Sequence, residues 1–440
     1  MTTTKDLSVR YLKLADLIEK KRIITTLDQL AEFSDHISGS TGVTRLAYSD
    51  ADLKGKAYIA NLMKEAGLDV QVSRVGNIFG RLKGSRCDDK VVMTGSHTDT
   101  VHDGGRFDGI VGVVSAIEAL RVLAQVKEEL VHPIEAVDWA MEEAARFGNC
   151  HFGSKVFMGE AIDESTLCLK DRQGITLAEA MQKANQLDQG DALSASTKAV
   201  NQSRGNVQKV KAYIELHIEQ SGELEEQNLT VGVVKAAAGP TRWAIEIVGK
   251  QAHSGSTPMN RRHNALLAAA QFVLAVEQVC QAESVHGTVG TVTKLTVEPN
   301  SPPVVPGKCS LFLDFRSTDA ASKKRVKAFL EKELQNISAQ CKVDSNHQII
   351  MNEEPTLFSP KIMEAIKQSC AALRTPHLIL PSRAGHDACT VARKLKDVGM
   401  IFVPSRGGVS HHPEEWTDPD HIVSGAKVLL LTLLQLATCR

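Results

Sequence analysis

Four short segments of this 440-residue chain concentrate side chains that bind metal ions or move protons. The first, Gly95-Ser-His-Thr-Asp-Thr-Val-His-Asp-Gly-Gly-Arg-Phe-Asp-Gly109, offers His97, Asp99, His102, Asp103 and Asp108 among glycines that permit tight turns. The second is the adjacent pair Glu142-Glu143, the third Glu215-Leu-His217-Ile-Glu219-Gln220, and the fourth Ser410-His411-His412-Pro413-Glu414-Glu415. Imidazole and carboxylate together suit zinc, and equally manganese, cobalt or nickel, with geometry and availability making the choice. A carboxylate shared by two ions about 4 Å apart is the usual core of a two-metal hydrolase. Neighbours at a strand end point in different directions, so one of Glu142 and Glu143 can bind metal while the other faces a substrate as a base. Any one segment alone reads as a solvated turn or a hydrogen-bonded histidine. Four of them, each after an apolar run, read together as a metal centre.

The elements that must hold these residues follow from hydrophobic periodicity. Segments 89–97, 134–140 and 213–217 read as strands, and 110–126 and 155–160 as helices. That alternation implies an α/β sandwich, a fold class that sets its sites at strand ends. After Gly222 the character changes: Trp243, Ile245 and Ile247 alternate as in a strand, 262–281 is a long Ala/Leu/Val-rich helix, 311–316 is a strand and 322–336 an amphipathic helix. From about Asp344 the α/β rhythm is expected to resume with strand 348–351, helix 360–373 and strand 398–403. The organisation expected is a discontinuous main domain, residues 1–222 and 335–440, holding the metal centre, with a smaller domain inserted at 223–334.

Composition excludes little but bounds the rest. Lys plus Arg number 51 against 52 for Asp plus Glu, so no net field draws the chain to nucleic acid or an anionic membrane. The first residues lack the apolar run of a secretory signal, no stretch approaches the ~18 apolar residues of a membrane span, and the apolar tail 428–436 reads as a closing amphipathic helix. Nine cysteines without a Cys-x-x-Cys pair suit reduced core thiols in a cytoplasmic protein rather than thiolate metal sites.

The motifs together resemble the N-carbamoyl-L-amino-acid hydrolase, allantoate amidohydrolase and β-ureidopropionase family, a branch of the dinuclear zinc aminoacylase and carboxypeptidase superfamily. The likeness runs from about Ile24 to Val428 through Thr44-Arg-Leu-Ala-Tyr48, Gly76-Asn-Ile-Phe-Gly80, 95–109, 142–148, 215–220, His253-Ser-Gly-Ser-Thr-Pro-Met259, Gly385-His-Asp-Ala388 and 403–417. The resemblance implies a metallopeptidase-like mixed-sheet α/β catalytic domain with an inserted smaller α+β lid and dimerisation domain, and a homodimer. It implies two divalent ions per subunit, zinc or else manganese, cobalt or nickel, with His97 and His217 on one, Glu143 and His411 on the other and Asp108 bridging. It makes Glu142 the general base and Asp99 a carboxylate that orients a neighbouring group. His253 corresponds to a histidine that steadies the oxyanion in the dimer partner's active site. Gln220, Asn300, Arg316 and His386 correspond to substrate-binding positions, Arg316 being suited to a substrate carboxylate by its bidentate fork.

The reaction implied is metal-assisted hydrolysis of a linear ureido or amide bond in a small-molecule acid. Glu142 would take a proton from the attacking water and deliver one to the leaving nitrogen. N-carbamoyl-L-amino acids stand first, giving the amino acid, ammonia and carbon dioxide. Allantoate, ureidoglycolate and β-ureidopropionate follow, then aminoacylase or dipeptidase chemistry, and last a metal-binding relative without turnover. Several positions depart from the family pattern: Met141 for a polar residue, Ala144 for glycine, Asn264 for aspartate, Pro303 for asparagine and Arg383 for glycine. If position 144 needs positive φ, alanine there costs about 1 kcal/mol.

Overall fold

A computed structural model describes residues 9–35, 39–85, 90–187 and 196–438. The chain divides into two compact units. One comprises the described residues up to Lys235 with Phe358–Leu380 and those from His386 onward, the other Ala236–Leu357 with Pro381–Gly385.

The first unit is built on a mixed sheet. Its order is Asp69–Val72, Ile78–Leu82, Ile134–Trp139, Val91–His97, Val210–Glu219, Val398–Pro404 and Val231–Ala237, with His377–Ser382 also pairing to Val231–Ala237. The central strands run parallel: Val91–His97 with Ile134–Trp139 and Val210–Glu219, and Val210–Glu219 with Val398–Pro404. The flanking pairs are antiparallel. Val91–His97, Ile134–Trp139 and Val398–Pro404 are buried at every position, which is why they read as continuous apolar runs rather than alternating ones.

Helices Ile110–Gln125 and Pro419–Thr438 pack in the core against this sheet. Pro419–Thr438 extends well before the expected 428–436, and Val428–Leu431, Leu433 and Leu434 have no exposed surface. It and Ala265–Ala282 reach the length and apolar composition of a membrane span, contrary to the expectation that no segment would. A helix sunk into a core is apolar on most of its circumference, and such burial accounts for the composition of Pro419–Thr438. The helix expected at 155–160 begins earlier, as Phe152–Phe157.

The second unit is a four-stranded antiparallel sheet ordered Asp344–Asn352, Gly239–Val248, Lys308–Ser317, Val289–Glu298, with helices Ala265–Ala282 and Ala320–Cys341 packed on it. Lys308–Ser317 alternates strictly between buried and half-buried positions, with Cys309, Leu311, Leu313 and Phe315 facing the helices. Its limits differ from the expected 223–334. Asp344–Asn352 pairs with Gly239–Val248, so that strand belongs here and not to the resumed main domain.

Candidate metal centre

The histidines and carboxylates gather at the C-terminal ends of the central parallel strands, where α/β sheets leave room for ligands. His97 is the last residue of Val91–His97, and the loop after it carries Asp99 and Asp108. Ile134–Trp139 leads into Glu142 and Glu143, Val210–Glu219 contains His217, and Val398–Pro404 leads into the loop with His411.

Asp108 is the hub. Its Oδ1 lies 3.1 Å from His217 Nε2 and 3.7 Å from His97 Nε2, while its Oδ2 lies 3.4 Å from His411 Nε2. His411 Nε2 is also 3.0 Å from Glu143 Oε1. Two groups that share Asp108, His97–Asp108–His217 and Asp108–Glu143–His411, each hold their ligand atoms within 4.8 Å of one another. This donor set fits divalent metal: neutral imidazole nitrogens and carboxylate oxygens converge from separate elements. The Nδ1 atoms of His97 and His217 face the backbone carbonyls of Asp99 and Ile218, each at 3.0 Å, which leaves each Nε2 for the centre.

Without metal, protons hold these charges together. Burial lowers His217, but Asp108 beside it outweighs burial and raises it to about 10. Hydrogen bonds to Asp108 and Glu143 raise His411 to about 11. Burial, reinforced by the neighbouring His217, drops His97 to about 3 even though Asp108 opposes it. Asp108 itself stays well below the usual carboxylate range, because the three histidines overcome its burial.

Behind these side chains lies a set of buried supports. Asp99 is entirely buried, and its two oxygens accept the backbone N–H groups of Glu142 (3.1 Å) and Glu143 (3.0 Å), so it aligns the glutamate pair. Arg45, from the Thr44–Tyr48 motif, is also fully buried and donates to the carbonyls of Thr98, Leu30 and Phe33, bracing the loop after His97 from behind. Glu415 accepts from the N–H groups of Phe107 (2.8 Å) and Asp108 (3.0 Å) and from Ser410, fastening the His411 loop to Asp108. Gly109 stands against the His97 ring with φ +71°, a conformation that L side chains rarely adopt.

Glu142 sits at the edge of the cluster, with Oε2 3.7 Å from His97 Nε2. Its Oε1 is 3.0 Å from His151 Nε2. Burial, with Glu143 and Asp387 nearby, pushes Glu142 well above the usual carboxylate value, although His151 pulls the other way. Gln220 donates through Nε2 to Asp108 Oδ2 (2.8 Å) and Ser410 Oγ (3.1 Å). Its Oε1 is buried without a hydrogen-bond partner among the described residues. His386 packs edge-on against the His217 ring, with centroids 4.5 Å apart.

Other candidates are turned elsewhere. Asp103 bonds the Ser40–Gly42 turn, and Glu219 caps the turn at Ser221–Leu224. Glu215, although it neighbours His217 and His386, spends its two oxygens on Ser96 Oγ and the Ala388 N–H, at 2.7 Å each. His253, Asn300 and Arg316 belong to the second unit. His253 is exposed, and its Nδ1 accepts the N–H groups of Gly255 and Ser256 at 3.0 Å each, so the ring proton lies on Nε2. Arg316 is paired with Asp314 at 2.9 and 3.2 Å, and Asn300 is exposed.

The departures from the family pattern now have physical readings. Positive φ falls on Met141 (+52°) and not on Ala144, so alanine there carries no such strain. Asn264 caps helix Ala265–Ala282, its side chain accepting from Leu266 and Leu267 as an aspartate would. The Pro303 carbonyl accepts the Ser254 N–H beside His253, a bond that needs no N–H from position 303. Arg383 is exposed. Sequence alone assigns no role to His151 or Glu415. Glu415 lies inside the Ser410–Glu415 cluster, but His151 follows the Glu142–Gly148 motif and has no local signal of its own.

Residues 93–435 match the model of Peptidase family M20/M25/M40. The chain is 37% identical over 421 residues to an N-carbamoyl-L-amino acid amidohydrolase of Geobacillus stearothermophilus, covering 96% of this chain and 99% of that one. It is 36% identical over 416 residues to a ureidoglycolate hydrolase of Arabidopsis thaliana, covering 93% and 85%. A crystal structure of an amidase of the hydantoinase/carbamoylase family from Burkholderia multivorans superposes with a TM-score of 0.86 at 36% identity, covering 96% of this chain and 98% of that one. The match over residues 93–435 and the relatives aligned along nearly the whole chain place this protein in peptidase family M20/M25/M40, and it is an amidohydrolase of that metal-dependent family.

Proposed function

We propose that this protein is a cytoplasmic hydrolase of N-carbamoyl-L-amino acids that holds two divalent ions, zinc or else manganese, cobalt or nickel, around Asp108. The observation that carries this reading is the Asp108 carboxylate, whose two oxygens face different donor groups: His97 and His217 on one side, His411 with Glu143 on the other. Bound there, the ions would acidify water and polarise the ureido carbonyl. The chain's own groups do the rest. Glu142 takes a proton from the attacking water and returns it to the leaving nitrogen, its burial raising its proton affinity well above that of an ordinary carboxylate. Gln220 offers the unused Oε1 to a ureido N–H, a donor that an ester lacks. His386 lines the same corner against His217.

The second unit, on this reading, is the lid and dimerisation domain of a homodimer. His253 supplies its Nε2–H to the oxyanion in the partner's site, and Asn300 and Arg316 contact the substrate. Arg316 would exchange its pairing with Asp314 for the substrate carboxylate.

The test is ammonia release by the purified protein, reconstituted with manganese or zinc, from a panel of N-carbamoyl-L-amino acids, N-carbamoyl-β-alanine, allantoate and ureidoglycolate. Release from the N-carbamoyl-L-amino acids, stopped by a chelator and restored by metal, is the expected result. Release only from another ureido acid keeps the chemistry and reassigns the substrate. Silence on the panel with cleavage of dipeptides or N-acetyl amino acids overturns the reading.

A further inference from the structure

We propose that His151 is a positioning residue, which pins one oxygen of the Glu142 carboxylate and so aims the other at the metal centre. The inference rests on the reading of Glu142 as the base. The chain after the glutamate pair turns back on itself: His151 N–H donates to Glu142 O (2.8 Å), Phe152 N–H to Met141 O (2.9 Å) and Gly153 N–H to Ala140 O (2.9 Å). Asn77 ties the two arms together, accepting from the Ala140 N–H at 2.9 Å and donating to Gly153 O at 3.0 Å. This crossing places the His151 ring beside the glutamate, Nε2 at 3.0 Å from Oε1, with side-chain exposures of 8% and 9%. The other oxygen, Oε2, is the one that faces His97.

A glutamate carboxyl group turns freely about its last bond unless something holds it. One bond from a buried ring removes that freedom and leaves a single oxygen, in a set orientation, for the water proton. His151 has φ +56° and ψ +32°, a left-handed conformation that histidine tolerates better than most side chains and glycine best of all. Besides Glu142, the groups that face the ring electrostatically are Cys150, Asp387, Glu215 and His386. Against its burial, Cys150 and Glu142 raise His151 well above the usual value. The positioning bond needs only a proton on Nε2, which the neutral ring can also supply.

The variants that test this are His151→Gly, which suits the backbone and opens an imidazole-sized space, and His151→Gln, whose amide can still donate to Oε1. Misplacing a reacting group by about 1 Å costs on the order of 10²-fold, so kcat of His151→Gly is expected to fall about that much, with KM changed by less than about twofold. Bound metal stays at the wild-type level. Added imidazole restores much of the loss in His151→Gly, and His151→Gln remains within about tenfold of wild type. The proposal is overturned if His151→Gly keeps kcat within about threefold, or if His151→Gln is as poor as His151→Gly and imidazole restores nothing. Glu142→Gln run in parallel separates the two claims. Full turnover in that variant removes the base reading and this proposal with it, whereas a dead Glu142→Gln beside an unimpaired His151→Gly removes only the positioning role.

Discussion

Gly109→Ala tests the packing that aims the His97 ring at Asp108. A Cβ at this position would lie 2.3 Å from His97 Nε2, 2.4 Å from Cε1 and 2.5 Å from Cδ2, where ordinary contact begins at 3.4 Å. The ring must therefore retreat by about 1 Å, and it has nowhere to go: it is 2% exposed and its Nδ1 is held 3.0 Å from Asp99 O. The backbone conformation, φ +71° with ψ −44°, adds strain of about 1–3 kcal/mol for any residue with a Cβ. A ligand displaced by about 1 Å should cost on the order of 10²-fold in activity. The assays are metal content per subunit after equilibration in a metal buffer, kcat for ammonia release, and the thermal midpoint. Gly174→Ala is the control. Its φ is +83°, but nothing lies within 4 Å of an added Cβ, so it should lose only about 1 kcal/mol of stability and keep full metal and kcat. Wild-type metal content with kcat within about threefold in Gly109→Ala would refute the reasoning, as would an equal loss in both variants.

Two further outcomes follow from the same geometry. Glu142→Gln keeps an acceptor for His151 but no exchangeable carboxyl proton, so turnover should fall by about 10²–10⁴-fold with metal content unchanged; undiminished turnover removes Glu142 as the base. Metal uptake should release protons at pH 7: His217 at about 10 and His411 at about 11 are protonated there in the metal-free protein, and ligation requires them neutral. Apparent metal affinity therefore rises with pH through the neutral range. Calorimetric titration in buffers of different ionisation enthalpy measures the count, and zero protons released would contradict the assignment of these two histidines.

The residues that gather around Asp108 were legible because each sits in a short local pattern: an apolar run, then a turn rich in imidazole or carboxylate. The same local logic located the strands Val91–His97, Ile134–Trp139 and Val398–Pro404, which are buried on both faces and so carry unbroken apolar runs. It failed for Asp344–Asn352, whose alternation suits any half-buried sheet. Only its pairing with Gly239–Val248 assigns it to the second unit. It also left open whether position 144 takes positive φ, because the residue that does so in a strand-to-loop turn depends on where the strand ends in space. Here that residue is Met141.

By itself, the sequence determined which atoms can bind metal and which stretches must be buried, since side-chain chemistry and hydrophobic period are properties of short windows. Tertiary structure decided how the carboxylates divide their labour. Asp108 meets three histidines, Asp99 aligns two backbone amides, Glu415 ties a distant loop to Asp108, and Asp103 and Glu219 only close turns. It alone revealed His151, nine positions beyond Glu142 in sequence yet a hydrogen bond away in space. The physical reason is that a hydrogen bond acts only at about 3 Å, and such a separation is set by how the backbone folds back and not by the order of residues along it.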